Sequence, residues 1–355
     1  YVLILNIIGV LVIFSATNGS RELLLKQFIG IIIGTVAMIF LSLFPYKELV
    51  KLSWLVYGLC IVLLLIVIFF GYRPLNAGAK RWIKLPALGL IQVSEFAKIG
   101  LIIFYAQLLT KYREYIDRFR YLLLFAGLLV LPCVLIMAEP DLSTTVVITV
   151  IVLCMLFCAG VSYKWIAGGF ACAVSFMAVL LFALQHNVIP VLRGYQANRI
   201  LAWIHPSDYT DMNMQQDNSI MAISSGQLLG KGLNNNTLAS VKNGNFLSQE
   251  QTDFIFAVIG EELGFVGCIA VVTLYALIVL ECLYLASKAV NLQGRLLCTG
   301  FAALIAFQSF TNIAVATGLF PNTGLPLPFI SYGVSSVVSL FLGVGIVVNV
   351  ALQRK

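Results

Sequence analysis

The residues of this chain that can do chemistry are few and fall into five clusters. Asp253 stands in Gln249-Glu250-Gln251-Thr252-Asp253-Phe254-Ile255-Phe256, at the mouth of an apolar run. A carboxylate there either caps a helix or serves as a general base at the edge of a membrane. Glu261 and Glu262 follow about 12 Å deeper along the same helix; two consecutive acids at that depth need partners, and structural pairing is expected. Glu95 and Lys98, in Gln92-Val93-Ser94-Glu95-Phe96-Ala97-Lys98, are three apart and share a helix face. They form either a self-neutralising ion pair, the favoured reading on residues alone, or a wall that orients a polar substrate. Glu139 and Asp141 flank Pro140 ahead of Ser143-Thr144-Thr145. Capping accounts for Asp141 but not for Glu139, which ends an apolar run. Lys80 and Arg81 beside Trp82 are either an interfacial anchor or a grip on pyrophosphate, with Arg as the fork and Lys as the point charge. Finally, residues 320–336 carry Pro321, Pro326, Pro328, Gly324 and Gly333 in an apolar setting. No regular helix survives that composition, so a re-entrant or cavity-lining loop is expected.

The elements that must position these clusters follow from composition. The 355 residues are 61% hydrophobic and only 10% charged, with a mean hydropathy of +0.99, whereas a soluble domain carries about 25% charged residues. A soluble enzyme, a disordered tail and a secreted disulfide scaffold are excluded. Ten continuous apolar runs, centred near residues 9, 35, 61, 101, 130, 151, 175, 269, 307 and 343, predict an all-α integral membrane protein with ten transmembrane helices. Continuity rather than alternation argues against a β-barrel. The first run begins at Tyr1 with no cleavable signal before it, and the absence of an initiator Met leads us to expect numbering that starts inside a longer chain. Eleven Lys and Arg fall in one set of short connections and the tail, against six in the other set. Both termini are therefore expected to be cytoplasmic.

One polytopic domain, 1–355, is expected, with a long extracellular loop over 186–252 between helices 7 and 8. Within that loop Ser219–Ile223 reads as part of a short amphipathic helix at the interface. The net charge of +7 sits in membrane-anchoring positions and does not point to nucleic acid. All eight Cys lie in apolar stretches without metal or disulfide spacing, and the two His, His186 and His205, are isolated. Gly226-Gln227-Leu228-Leu229-Gly230-Lys231-Gly232 imitates a P-loop but has one residue too few between its glycines and no Ser or Thr after Lys231. It is not a nucleotide site.

The five clusters, in this order over ten spans, resemble the SEDS family (shape, elongation, division and sporulation), the RodA/FtsW-like proteins. The longest matches are Gln251–Phe256 with Glu261-Glu262-Leu263-Gly264, and Thr323–Gly333; Gln251 departs from the family's usual His, and Val93, Gln227 and Val334 are further departures. The resemblance implies a peptidoglycan glycosyltransferase that polymerises lipid II at the outer face of the bacterial plasma membrane, with Asp253 matching the family's essential aspartate. It implies a divalent cation, Mg²⁺ or Mn²⁺, and as partners lipid II, undecaprenyl-linked glycan, membrane lipids and a class B penicillin-binding protein. Asp253 is then the candidate base that deprotonates the attacking sugar hydroxyl. Lys80, Arg81, Glu95, Lys98, Glu139, Asp141 and Ser331 are the candidate substrate contacts. Intramembrane acids and a broken helix also suit a flippase or transporter of the lipid-linked precursor, and a scaffold for a transpeptidase would leave Asp253 unexplained. A flippase needs a polar path to the cytoplasmic side; an enzyme needs its acid at the external boundary.

Overall fold

The computed structural model describes residues 1–17, 19–73, 80–85, 89–185, 195–234 and 250–353. Asn76 to Ala79 of the basic motif, His186, Gln249 and the tail Arg354-Lys355 lie outside them. Each apolar run becomes a helix, because in hydrocarbon a backbone must satisfy its own polar groups. In chain order these are α1 (Val2–Ala16), α2 (Arg21–Leu43), the short α3 (Tyr46–Lys51), α4 (Ser53–Phe70), α5 (Val93–Lys111), α6 (Phe119–Ala138), α7 (Leu142–Ala159) and α8 (Tyr163–Gln185). Within the long connection lie α9 (Tyr195–Ile204) and α10 (Thr210–Ser225), and after it come α11 (Ile255–Lys288), α12 (Leu292–Ala316) and α13 (Val334–Leu352). Among the described residues eight helices are long and apolar enough to cross a membrane, and α1 is a shorter apolar helix.

Burial divides them. The best window of α5 is 83% buried and that of α12 72%, against 17% for α2. The inner helices carry the polar side chains Glu95, Lys98, Gln308, Ser309, Thr311 and Asn312, which lipid would not tolerate. The outer helices turn residues such as Ile32, Phe40 and Phe69 outward. Small residues let helices close up: a Cβ on Gly34 of α2 would lie 2.9 Å from the Phe341 ring of α13, the close approach such contacts need.

Two features depart from ten simple spans. First, β1 (Trp82–Leu85) and β2 (Gly89–Gln92) form an antiparallel hairpin with Trp82 opposite Gln92. It hands the chain straight into α5 and sets Arg81 beside that helix's N-terminus. Second, α11 is broken at Gly264, whose φ of +64° and ψ of −164° leave the helical region. The P-loop-like segment fills that break. Lys231 and Gly232 donate backbone N–H groups to the carbonyls of Glu261 and Glu262 (2.9 and 3.0 Å), while Phe265 and Val266 donate to the carbonyls of Gln227 and Leu228 (2.9 and 3.2 Å). A Cβ on Gly264 would sit 2.3 Å from the Gly230 nitrogen, so both glycines are required by the approach. The long connection is therefore partly built. Its α10, which contains Ser219–Ile223, packs on the protein, with Ser219 donating to the Ala316 carbonyl and Gln216 to those of Val315 and Phe320 (2.7 Å each).

Candidate active site

Three chain segments meet before α11. Residues 250–254 form a turn, and the Pro-rich segment 321–333 is strapped to it. The Ser331 hydroxyl donates to the Thr252 carbonyl (2.6 Å) and accepts the Leu327 N–H (2.8 Å), and Tyr332 N–H donates to the Gln251 carbonyl (2.8 Å). From α12, the Asn312 amide donates to the carbonyls of Asp253 (2.9 Å) and Leu325 (2.7 Å). Asp253 is thereby fixed, half-buried, just outside the helix. Gly324 passes so close that a Cβ there would stand 3.3 Å from Asp253 Oδ2 and 3.9 Å from Arg199 Nη1, at a φ of +70°.

Two guanidiniums share this corner. Arg81 donates through Nε to the Glu139 carbonyl (3.0 Å) and through Nη2 to the Pro140 carbonyl, with Nη1 4.0 Å from Asp141 Oδ1. Arg199, on α9, donates to the Asn322 carbonyl (3.0 Å). Both line a cavity of about 50 Å³, with Ser143, Asn322 and Thr323. Asn322 Oδ1 and Thr323 Oγ1 are buried without a hydrogen-bond partner, so polar groups there await one. The cavity is far below the ~300–1,000 Å³ of a drug-sized ligand site. It therefore suits a compact anionic group whose remainder stays outside.

Electrostatics follow from this packing. Burial pushes the Asp253 carboxyl above the usual carboxylate range; Arg199, a hydrogen bond from Thr252 and Arg81 oppose the rise, and Asp141 adds to it. Glu139 is 1% exposed, and burial, aided by Asp141 and opposed by Arg81, raises its carboxyl to about 8. Neither of its side-chain oxygens has a hydrogen-bond partner among the described residues. Asp141 caps α7, accepting from Thr144 N–H (3.2 Å), Thr144 Oγ1 (2.9 Å) and Gln92 Nε2 (3.3 Å).

The structure thus gathers Asp253, Arg81, Asp141 and Glu139, but other expected substrate contacts stand differently. Glu95 and Lys98 pair at 2.8 Å with side chains 2% and 1% exposed. Lys98 also donates to Gln308 Oε1 (2.7 Å), whose amide holds the Pro326 carbonyl (2.9 Å). The pair is enclosed between α5 and α12 and braces the Pro-rich segment; it does not line the Arg81–Arg199 cavity. Ser331 is likewise 2% exposed and serves as the strap just described. Lys80 is exposed and does not line the Arg81–Arg199 cavity. The deeper acids are engaged, Glu261 by Lys231 at 2.7 Å and Glu262 by the Ser15 hydroxyl. Arg199 escaped the sequence reading; its signal was a cation on an amphipathic stretch of the one long connection. Among the described residues no three His, Cys, Asp or Glu side chains converge as a metal site, so the residues present make no cage for a divalent cation.

Known proteins resemble this chain throughout. The FtsW/RodA/SpoVE family profile, described as cell cycle protein, matches residues 1–355. A probable peptidoglycan glycosyltransferase FtsW of Geobacter metallireducens is 34% identical, covering 99% of this chain and 92% of that protein. Peptidoglycan glycosyltransferase MrdB of Escherichia coli K12 is 32% identical with the same coverage. Among solved structures, a chain from a peptidoglycan synthase complex that coordinates polymerization and crosslinking superposes with a TM-score of 0.82 at 29% identity, covering 99% of this chain and 96% of its own. The Thermus thermophilus rod shape determining protein RodA gives 0.72 at 27%, covering 99% and 95%.

Proposed function

This chain belongs to the FtsW/RodA/SpoVE family and is a multi-pass membrane peptidoglycan glycosyltransferase, and we propose that Asp253, Arg81 and Arg199 are its reaction centre. The substrate of this reading is lipid II. A sugar hydroxyl of one glycan attacks the anomeric carbon of another, the bond from that carbon to undecaprenyl pyrophosphate breaks, and the hydroxyl proton passes to Asp253. The single observation that carries the reading is a carboxylate held beside two guanidiniums at the end of a buried helix. A carboxyl lifted towards neutrality is a better proton acceptor than an ordinary one, provided it is ionised when substrate arrives.

Arg81 and Arg199 are the groups that meet the leaving pyrophosphate. Donors already fixed in place stabilise developing charge without reorganising, and Arg81 is fixed by two carbonyls. The Thr323 hydroxyl, buried without a hydrogen-bond partner among the described residues, can donate to the same anion. Glu95–Lys98 and Ser331 hold the Pro-rich segment against Asp253. A divalent cation, Mg²⁺ or Mn²⁺, would supply further charge neutralisation to the leaving pyrophosphate. The site is external, both termini are cytoplasmic, and a class B penicillin-binding protein is the crosslinking partner. Engagement of Glu261 and Glu262 by Lys231 and Ser15 speaks against a flippase path.

The test is polymerisation of labelled lipid II by the purified chain, alone and with its transpeptidase partner. Asp253→Asn is expected to lower the rate about 10²–10⁴-fold with the melting temperature kept. An Asn variant that polymerises at the parent rate removes the base assignment.

A further inference from the structure

At the end of the bundle opposite Asp253 lies a cavity of about 600 Å³, lined by Lys111, Arg113 and Arg295, with Glu114 as its one acid and Val290 and Leu292 as apolar wall. The three cations arrive from separate places. Lys111 ends α5, Arg113 opens a single 3₁₀ turn (Arg113–Tyr115), and Arg295 lies in the first turn of α12. Lys111 is accounted for by the negative end of α5. Arg295 is not: it sits at the positive end of a 25-residue helix whose cap, Asn291, accepts the Gly294 N–H, where a cation is disfavoured unless an anion faces it. Among the described residues, none of the three cations is in an ion pair.

We propose that this cavity binds the phosphate of an anionic phospholipid headgroup. A soluble phosphate offers the same oxyanion, and guanidiniums grip either by bidentate hydrogen bonds. The surroundings favour the lipid. Val290, 63% exposed, follows the last turns of α11, where Leu280, Leu283 and Tyr284 also face outward; acyl chains leaving the headgroup have an apolar surface to follow. Basic pockets between membrane helices are sites of this kind.

The experiment uses the full chain in nanodiscs of mixed phosphatidylglycerol and phosphatidylcholine, extracted gently and weighed by native mass spectrometry. Phosphatidylglycerol is expected to be retained over phosphatidylcholine, and the double variant Arg113→Ala/Arg295→Ala to lose that preference about tenfold, a difference of ~1.4 kcal/mol. Arg113→Lys/Arg295→Lys should keep part of it, and lipid II polymerisation in detergent verifies that both variants fold. Equal retention of the two lipids, or an undiminished preference in the double Ala variant, overturns the proposal. So does full displacement of phosphatidylglycerol by an equal concentration of inorganic phosphate, which assigns the cavity to a free anion.

Discussion

Cations are held in opposite ways at the two ends of this bundle. Beside Asp253, Arg81 is tied to the carbonyls of Glu139 and Pro140 and Arg199 to that of Asn322, around a cavity of about 50 Å³. At the far end Lys111, Arg113 and Arg295 surround about 600 Å³ with no ion pair among the described residues. Fixed donors in a tight, partly dry site lower a barrier, because nothing has to reorganise when charge develops. Loose cations around a wide opening recognise charge without discriminating a transition state from a ground state.

Kinetics can break that distinction. Arg199→Ala and Arg81→Ala should each lower kcat for lipid II polymerisation about 10²–10³-fold, whereas changes at Arg113 and Arg295 leave kcat alone. Arg199 also holds the Asp253 carboxyl down. Asp253 must be ionised to accept a proton, so activity falls as pH drops through its raised pKa. Removing Arg199 raises that pKa further and moves the acid limb of the kcat/KM profile to higher pH. If Arg199→Ala raises only KM and leaves the limb in place, the arginines beside Asp253 act no differently from those at the far end.

A second contrast lies between Asp253, half-buried, and the sealed Glu95–Lys98 pair. Truncating one member of a buried pair strands the other charge, at a cost of about 3–5 kcal/mol, while replacing both with neutral groups is far milder. Lys98→Met is thus expected to depress the melting temperature in detergent strongly, and Glu95→Gln/Lys98→Met to recover most of the loss. Recovery of folding with persistent loss of polymerisation, despite intact Asp253 and arginines, would give the pair a direct part in the chemistry.

These contrasts mark what the sequence could and could not disclose. Membrane helices were legible because apolar runs have only one way to satisfy their backbone in lipid; the centres near 61, 101 and 307 fall inside α4, α5 and α12. Asp253 stood out as an acid at the edge of such a run, but a helix cap explained it equally well; only the family resemblance set it apart. The break at Gly264 was not: glycine is common in membrane helices, and only the distant segment 227–232, supplying both donors and acceptors, makes the break affordable. Arg199 was hidden for the same reason. The amphipathic stretch around Arg199 marks a helix, but nothing local distinguishes an arginine that solvates from one folded back on an aspartate fifty-four residues on. The hairpin of β1 and β2 is too short for its alternation to stand out, although it is what carries Arg81 to Asp141.

The smallest expected effect on polymerisation concerns Glu139, whose contribution to stability turns on sign. Its carboxyl has an ordinary value of 4.5 and is raised to about 8 in the folded chain. Between those values the native state keeps a proton that the unfolded chain has released, so stability declines as pH climbs from about 4.5 to about 8 and then levels off. At neutral pH Glu139 is therefore mostly uncharged and does not offset the Arg81 and Arg199 guanidiniums. Glu139→Gln preserves that neutral shape and abolishes the titration. The variant should match the parent in melting temperature near pH 4.5, exceed it clearly at pH 8–9, and retain polymerisation at pH 7. A variant whose stability falls with pH as steeply as the parent's assigns the slope to another group. One that loses polymerisation at pH 7 shows instead that the Glu139 proton, or its carboxylate, takes part in the reaction beside Asp253.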